Sequence, residues 1–98
     1  MSLSVSFNRL AEAELREAML YYASESEGLA RRFLAAVASA LAELEAHPLT
    51  DAPLRADIRR KSLGRFPYQL LYRLDGEELR ILAVMHKRRR PLYWAGRG

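Results

Sequence analysis

The sequence predicts an α+β fold in which an antiparallel helix hairpin covers one face of an antiparallel β-sheet. Two amphipathic helical stretches follow a short alternating segment and are separated only by a few polar residues. The remainder alternates between apolar and polar residues and contains Asp75-Gly76, a dipeptide that favours a tight hairpin. Because 98 residues suffice for one compact core, we expect a single domain over residues 1–98 with the order β-α-α-β-β-β.

The first half of the chain predicts one strand and two helices. Residues 3–7 alternate between apolar and serine side chains, as in a strand with one buried face. Asn8 follows and is a residue type that caps helices. The apolar stripe of the first helix recurs at steps of three or four and consists of Ala11, Leu15, Ala18 and Tyr22. Polar residues 24–28 separate it from a second helix, which ends before Pro48 because proline lacks the N–H donor.

The second half predicts a loop at residues 48–57 and then a three-stranded meander. The strands are expected at residues 58–63, 68–74 and 78–86. A type I′ turn at Asp75-Gly76 would fix their register. Arg73 would then lie across from Glu78, and Tyr72 would pair with Leu79 on the core face.

The same register predicts where the histidine at the end of the last strand lies. Strict alternation from the turn puts His86 on the sheet face that points away from the helices. Extending the pairing along the hairpin puts Arg65 opposite His86. This placement would bring an imidazole and a guanidinium together on the open side of the sheet.

Composition excludes several classes of site. The chain has no cysteine and two histidines, so neither a disulfide framework nor a zinc site is expected, and the glycines form no phosphate-binding loop. We therefore expect no metal, no cofactor and no small-molecule substrate. No apolar run approaches the roughly 18 residues of a membrane span, which predicts a cytoplasmic protein that does not enter the membrane.

The distribution of charge indicates an anionic partner. Up to Thr50 there are four basic and seven acidic residues, a net charge of −3, whereas the remainder has twelve basic and five acidic residues, a net charge of +7. Most of the late cations are arginines, whose planar guanidinium binds phosphate or carboxylate through two hydrogen bonds. The second half of the chain is thus predicted to carry the binding surface.

Several stretches, in this order and spacing, resemble the RelE/ParE superfamily of small basic toxins over roughly residues 3–94. They lie at residues 13–22, 30–33, 44–48, 58–60, 66–68, 71–73 and 81–94. The last stretch joins a strand ending in His86 to Arg88-Arg89-Arg90, Pro91, Tyr93 and Trp94. It resembles the ParE-like, plasmid-stabilisation branch.

The resemblance implies the toxin of a type II toxin–antitoxin system, held inactive by a cognate antitoxin whose C-terminal segment wraps around it. We expect that segment to be acidic and apolar and to dock on the helix hairpin and the sheet edge. The resemblance also implies two possible targets, since ParE-like members poison DNA gyrase and RelE-like members cut messenger RNA on the ribosome. Our interpretation is a growth-inhibiting gyrase poison; the alternatives are a ribosome-dependent endonuclease and a non-toxic basic module that retains antitoxin contacts.

The candidate site residues follow from these alternatives. Metal-free RNA cleavage requires a general base, a general acid and cations around the phosphate. For that chemistry the candidates are His86, Tyr93, Arg65 and Arg88. The candidates for binding an anionic target are Arg59, Arg60, Lys61, Arg65, Lys87, Arg88, Arg89 and Arg90. Each also has a structural interpretation: for example, Tyr93 and Trp94 can anchor the tail by burying their rings.

Overall fold

A computed structural model describes residues 3–90 and 92–98, so Met1, Ser2 and Pro91 of the tail lie outside the described residues. It confirms the α+β prediction of a strand, a helix hairpin and then a meander. The elements are β1 (Ser4–Phe7), α1 (Arg9–Glu25), α2 (Glu27–Ala46), β2 (Pro53–Arg55), β3 (Ile58–Ser62), β4 (Tyr68–Asp75) and β5 (Glu78–His86). No helix in the described part of the chain is long and apolar enough to span a membrane.

Side-chain caps set the ends of the two helices. The Asn8 side chain accepts a hydrogen bond of 2.7 Å from the backbone N–H of Leu10, which confirms it as the cap of α1. Ser26 adopts an extended conformation, ends α1 and caps α2 through its hydroxyl, which accepts from Leu29 at 3.0 Å. One residue therefore joins the helices, fewer than the polar segment 24–28 predicted.

The five strands form one mixed sheet in the order β1-β5-β4-β3-β2. The meander is antiparallel as predicted, but β1 pairs with β5 in parallel. The predicted loop at residues 48–57 contains the short edge strand β2, which pairs antiparallel with β3. Its first residue, Pro53, is tolerated there because proline in a sheet is confined to edges and strand starts.

The predicted hairpin register is wrong by two residues next to the turn. Asp75 pairs with Glu78, so the two-residue loop is Gly76-Glu77. Gly76 has φ 59° while Glu77 is not among the positive-φ residues, which fits a type II′ turn and not type I′. Consequently Leu79 pairs with Leu74 instead of Tyr72.

Arg73 accordingly lies across from Arg80 and not from Glu78. Its guanidinium forms an ion pair of 3.0 Å with Asp75, two positions along the same strand. These two side chains share a face because alternate residues of a strand point the same way.

A β-bulge at Leu82 reverses the alternation of β5. Tyr72 pairs with Ile81 and Leu71 with Ala83, which leaves Leu82 without an opposite residue. Beyond the bulge, Val84 packs into the core under the helices, whereas Ala83 packs on the other face. Strict alternation predicted the reverse for both residues.

The bulge also corrects the position of His86. Its opposite residue is Tyr68, not Arg65, and its ring lies edge-on to that of Tyr68 at 5.0 Å. His86 lines a small cavity together with Ala18 of α1, so it is on the helix side of the sheet. The predicted placement on the open face and opposite Arg65 is therefore wrong.

The core has two parts, one on each face of the sheet. The larger lies between the helices and the sheet and includes the predicted stripe residues Ala11, Ala18 and Tyr22. The smaller lies on the outer face, where Trp94 packs on Leu71 and Ala83 and is only 3% exposed. Trp94 thus anchors the tail on the sheet face opposite the helices.

Candidate functional site

The outer face of the sheet carries a groove of about 520 Å³, which we call the outer-face groove. Its walls come from the strands β2 to β5 and the segment that follows β5. Four cations line it, namely Arg55, Arg60, Lys87 and Arg89. No carboxylate lines it in the part of the chain that the structure describes, so its potential is positive.

The remaining wall of the groove is apolar. Met85 and Trp94 contribute buried or half-buried surface, and Leu54 and Leu92 lie at the opening, 40% and 43% exposed. Gln69 also lines the groove, and its Oε1 is buried without a hydrogen-bond partner among the described residues. The surface of the groove therefore combines cations with apolar side chains.

Two of the predicted anion-binding residues point to the other face. Arg59 donates to the backbone oxygen of Asp51, and Lys61 forms an ion pair with Glu43 of α2. Both side chains are thus engaged with the helix side of the molecule. Strand alternation explains the direction of these two side chains. Arg60 lies between them on β3 and points to the opposite face, into the outer-face groove.

The other predicted cations are spread around the end of the sheet. Arg65 is exposed in the β3–β4 turn and lines a separate cavity with Glu43 and Lys61. Arg88 and Arg90 are exposed just beyond β5. The structure thus brings together Arg60, Lys87 and Arg89 of the predicted set.

The predicted acid and base lie in a cavity of about 230 Å³ on the helix side. His86, Tyr93 and Arg89 all line it, together with Glu17 and Tyr21. The Nδ1 atom of His86 accepts a hydrogen bond of 3.0 Å from the backbone N–H of Arg88. Arg65 and Arg88, the predicted phosphate ligands, do not line this cavity.

Tyr93 is held as a hydrogen-bond donor. Its hydroxyl donates to Glu14 at 2.7 Å. Burial first, and then the bond to the Glu14 carboxylate, raise the pKa of Tyr93 well above its ordinary value of 10.0. Its proton therefore stays in place at neutral pH and is directed at Glu14.

Glu14 is the residue that sequence reasoning missed. Its carboxylate forms a mostly buried ion pair with Arg97 at 2.8 Å and accepts from the backbone N–H of Val84 at 3.1 Å. Since β1 ends opposite Ile81, the edge of β5 beyond it lacks a partner strand. Glu14 and Arg97 fill this gap, because Arg97 also donates to the carbonyl oxygen of Leu82 at 3.1 Å.

A signal for Glu14 is present in the sequence. It lies three residues after Ala11 and four before Ala18, on the buried stripe of α1, where an unpaired carboxylate would be costly. A cation from elsewhere in the chain had to be expected there. Spacing alone does not identify that cation as Arg97.

The tail also connects Glu14 to the outer-face groove. The guanidinium of Arg89 lies 4.4 Å from the ring centre of Tyr93, and that of Arg97 lies 4.9 Å from it. Cation–π contact of this kind favours a fixed position for Arg89. Arg89 in turn lines the groove.

Comparisons with known proteins identify the fold and the family. A solved structure described as the chromosomal ParDE TA system from P. aeruginosa matches with a TM-score of 0.70 at 21% identity, covering 86% of this chain and 95% of that one. This likeness establishes a ParE-like fold. A family model for the ParE toxin of the type II toxin–antitoxin system parDE matches residues 5–91. Comparison with curated proteins gives no match. The chain belongs to the ParE toxin family of type II toxin–antitoxin systems.

Proposed function

We propose that this ParE-type toxin inhibits bacterial growth by binding DNA gyrase through the outer-face groove. The observation that carries the proposal is the gathering of Arg55, Arg60, Lys87 and Arg89 around an apolar wall. Cations next to apolar surface suit a large anionic assembly, which gyrase with its bound DNA provides. The protein acts in the cytoplasm and serves plasmid stabilisation or its chromosomal equivalent.

The positions and hydrogen bonds of the candidate acid, base and phosphate ligands favour inhibition by binding over cleavage of RNA. The Tyr93 hydroxyl donates its proton to a hydrogen bond with Glu14. The predicted phosphate ligands Arg65 and Arg88 do not line the cavity that contains His86. A general acid must reach the leaving oxygen, and cations must surround the phosphate. The proposed toxin is therefore not an enzyme and requires no cofactor.

Neutralisation is proposed to come from a cognate antitoxin bound to the toxin. The ParDE match supports a partner of this kind. The positive charge of the second half of the chain, +7, suits an acidic antitoxin segment.

The proposal is tested by inducing the chain alone and together with its antitoxin. We expect growth arrest with double-strand DNA breaks, intact messenger RNA, and recovery on antitoxin expression. Arg60→Ala with Lys87→Ala removes two groove cations, whereas Arg9→Ala with Arg32→Ala removes two exposed cations of the hairpin. The groove pair should lose toxicity and the hairpin pair should keep it. Normal division with abundant, folded wild-type protein would contradict the proposal.

The second candidate function is the ribosome-dependent endonuclease. One observation favours it: His86, Tyr93 and Arg89 line the same small cavity. It predicts message cleavage on translating ribosomes, which the same induction experiment detects by mapping the ends of the messages.

A further inference from the structure

We infer that Tyr93 is a positioning residue whose ring holds the guanidinium of Arg89 at the wall of the outer-face groove, ready to contact the target. The inference rests on the proposed function, which assigns this groove to target binding. It also distinguishes the three exposed arginines at residues 88–90. Arg89 is the member of this run that contacts the target, whereas Arg88 and Arg90 do not.

The backbone brings Arg89 to the groove. Its N–H donates to the carbonyl oxygen of His86 at 3.0 Å, which forms a tight turn directly after β5. Lys87 and Arg89, on either side of Arg88, both line the groove. Arg88 and Arg90 line none of the cavities described above. The turn therefore selects one arginine of the run for the groove.

The ring of Tyr93 then orients the side chain of Arg89. The guanidinium carbon lies 4.4 Å from the ring centre, within the range of a cation–π contact. In the described part of the chain Arg89 forms no ion pair, so this ring is the contact that directs its charge. An arginine held in place before binding loses less side-chain entropy when it meets a partner.

The neighbouring arginines lack such a contact. Among the described residues, the side chains of Arg88 and Arg90 form no ion pair and lie over no aromatic ring. Each would have to be ordered when it bound, at a cost in side-chain entropy. Arg89 is thus the arginine of this run that is prepared for binding.

Glu14 keeps the ring of Tyr93 in position. Its carboxylate accepts from the Tyr93 hydroxyl at 2.7 Å and forms the mostly buried ion pair with Arg97. The Arg97 guanidinium also lies 4.9 Å from the centre of the same ring. The ring is therefore fixed at its hydroxyl and in contact with two guanidinium groups, one of which lines the groove.

The test compares two substitutions of Tyr93 in the whole toxin chain, by the concentration that half-inhibits supercoiling by purified gyrase. Tyr93→Phe keeps the ring and should stay within about twofold of the wild-type protein. Tyr93→Leu removes the ring and should raise this concentration about fivefold, which corresponds to the loss of an exposed cation–π contact. Equal inhibition by the two variants would overturn the inference.

A double substitution separates positioning from simple anchoring of the tail. Arg89→Ala should raise the half-inhibitory concentration at least about tenfold, and Arg88→Ala less than about twofold. Adding Tyr93→Leu to Arg89→Ala should cause no further loss, because no guanidinium is left to position. A residue that only anchored the tail would give the same loss in both backgrounds, and that result would overturn the inference. Trp94 fluorescence and the thermal midpoint check that each variant keeps its tail and its fold.

A measurement without the target separates this inference from the proposed function. In the free toxin, the Tyr93 ring current should shift the NMR signal of the Arg89 Nε–H group in the wild-type protein and in Tyr93→Phe. In Tyr93→Leu the signal should return to the position of the Arg88 signal. An Arg89 signal that is alike in all three proteins would show that the ring does not hold Arg89, and the inference would be wrong.

The proposed target can fail while the inference holds. If the signal moves as expected but gyrase is unaffected by the wild-type toxin, gyrase is not the target. The same variants are then ranked by growth arrest after induction to equal levels. Stronger arrest by Tyr93→Phe than by Tyr93→Leu supports the inference, and equal arrest overturns it.

Discussion

The hydroxyl of Tyr93 donates to the carboxylate of Glu14 at 2.7 Å, joining the first helix to a tail residue 79 positions later. The same carboxylate binds Arg97, whose side chain is 12% exposed against 18% for Glu14. This cluster holds the tail across the unpaired edge of β5 and places Trp94 on the outer face. The groove proposed to bind the target therefore depends on a helix residue that does not line it.

Replacing Glu14 should release the tail. Breaking a largely buried ion pair by removing one partner typically costs about 3 kcal/mol, so Glu14→Ala should lower the free energy of unfolding by roughly 2–3 kcal/mol. Urea unfolding followed by Trp94 fluorescence measures this loss. Glu12→Ala is the matched control, because its 3.7 Å pair with Arg16 is exposed and should contribute less than about 0.5 kcal/mol. Similar losses in the two variants would show that the cluster does not hold the tail.

Stability should fall at alkaline pH through Tyr93. Its pKa is raised in the folded protein above the ordinary 10.0, by burial and by Glu14. The folded state then retains the proton when the unfolded state loses it, so this contribution is complete below pH 10 and declines as the pH rises further. Tyr93→Phe should flatten that decline, measured as the urea midpoint between pH 8 and pH 11. An unchanged slope would mean that Tyr93 titrates alike in both states.

Because of the bulge at Leu82, substitutions at two neighbouring residues should have different effects on stability. Val84 is buried in the core under the helices, whereas Met85 lines the open groove. Val84→Ser should therefore cost more than about 2 kcal/mol of stability and Met85→Ser less than about 1 kcal/mol. Thermal or urea unfolding of the two variants checks the order. The reverse order is the outcome that unbroken alternation from the turn predicts.

Two glycines, one in the hairpin turn and one in α2, should respond differently to substitution by alanine. Gly76 has φ 59°, where an L side chain is strained, so Gly76→Ala should cost about 1 kcal/mol. Gly28 lies in the first turn of α2, and an added Cβ would meet its neighbours at ordinary contact distances of 3.6 and 3.7 Å. Gly28→Ala should thus be neutral or stabilise by up to about 1 kcal/mol. Equal effects on the urea midpoint would show that the turn conformation is wrong.

His86 should be dispensable for toxicity. Loss of general acid–base assistance typically slows catalysis by about 100-fold to 10,000-fold, whereas a toxin that acts by contact needs no proton transfer. We expect His86→Ala to arrest growth nearly as well as the wild-type protein when induced to the same level. If both His86→Ala and Tyr93→Phe abolish toxicity while still binding antitoxin, and the wild-type protein cuts ribosome-bound messages, the endonuclease replaces the gyrase poison.

Local chemistry predicted the order of elements well. Asn8 caps α1 as expected, and the predicted stripe faces the core, with Ala11, Ala18 and Tyr22 buried and Leu15 partly buried. Both features could be predicted because capping and helical periodicity depend on nearby residues. The position of His86 could not be predicted. The face of the sheet on which His86 lies depends on the bulge at Leu82. The residues on both sides of the bulge are apolar, so the sequence pattern does not show where the alternation changes.

Three residues that the sequence predicts to bind an anionic target lie in one groove, and their role stays a prediction. Arg60, Lys87 and Arg89 line the same groove. Arg55 joins them because β2 pairs with β3, and Gln69 joins them because β4 lies between β3 and β5. These are long-range pairings that local sequence does not specify. The Glu14 cluster is a similar case, since its partners are supplied by a tail at the far end of the chain.

Gyrase binding through the outer-face groove is tested by inhibition of purified DNA gyrase with the purified toxin. We expect the wild-type chain and His86→Ala to inhibit supercoiling at similar concentrations. Arg60→Glu with Lys87→Glu should need at least about 30-fold more protein, while Arg9→Glu with Arg32→Glu behaves like the wild-type chain. Full supercoiling activity in the presence of excess folded wild-type toxin would contradict the proposal that the toxin acts on gyrase.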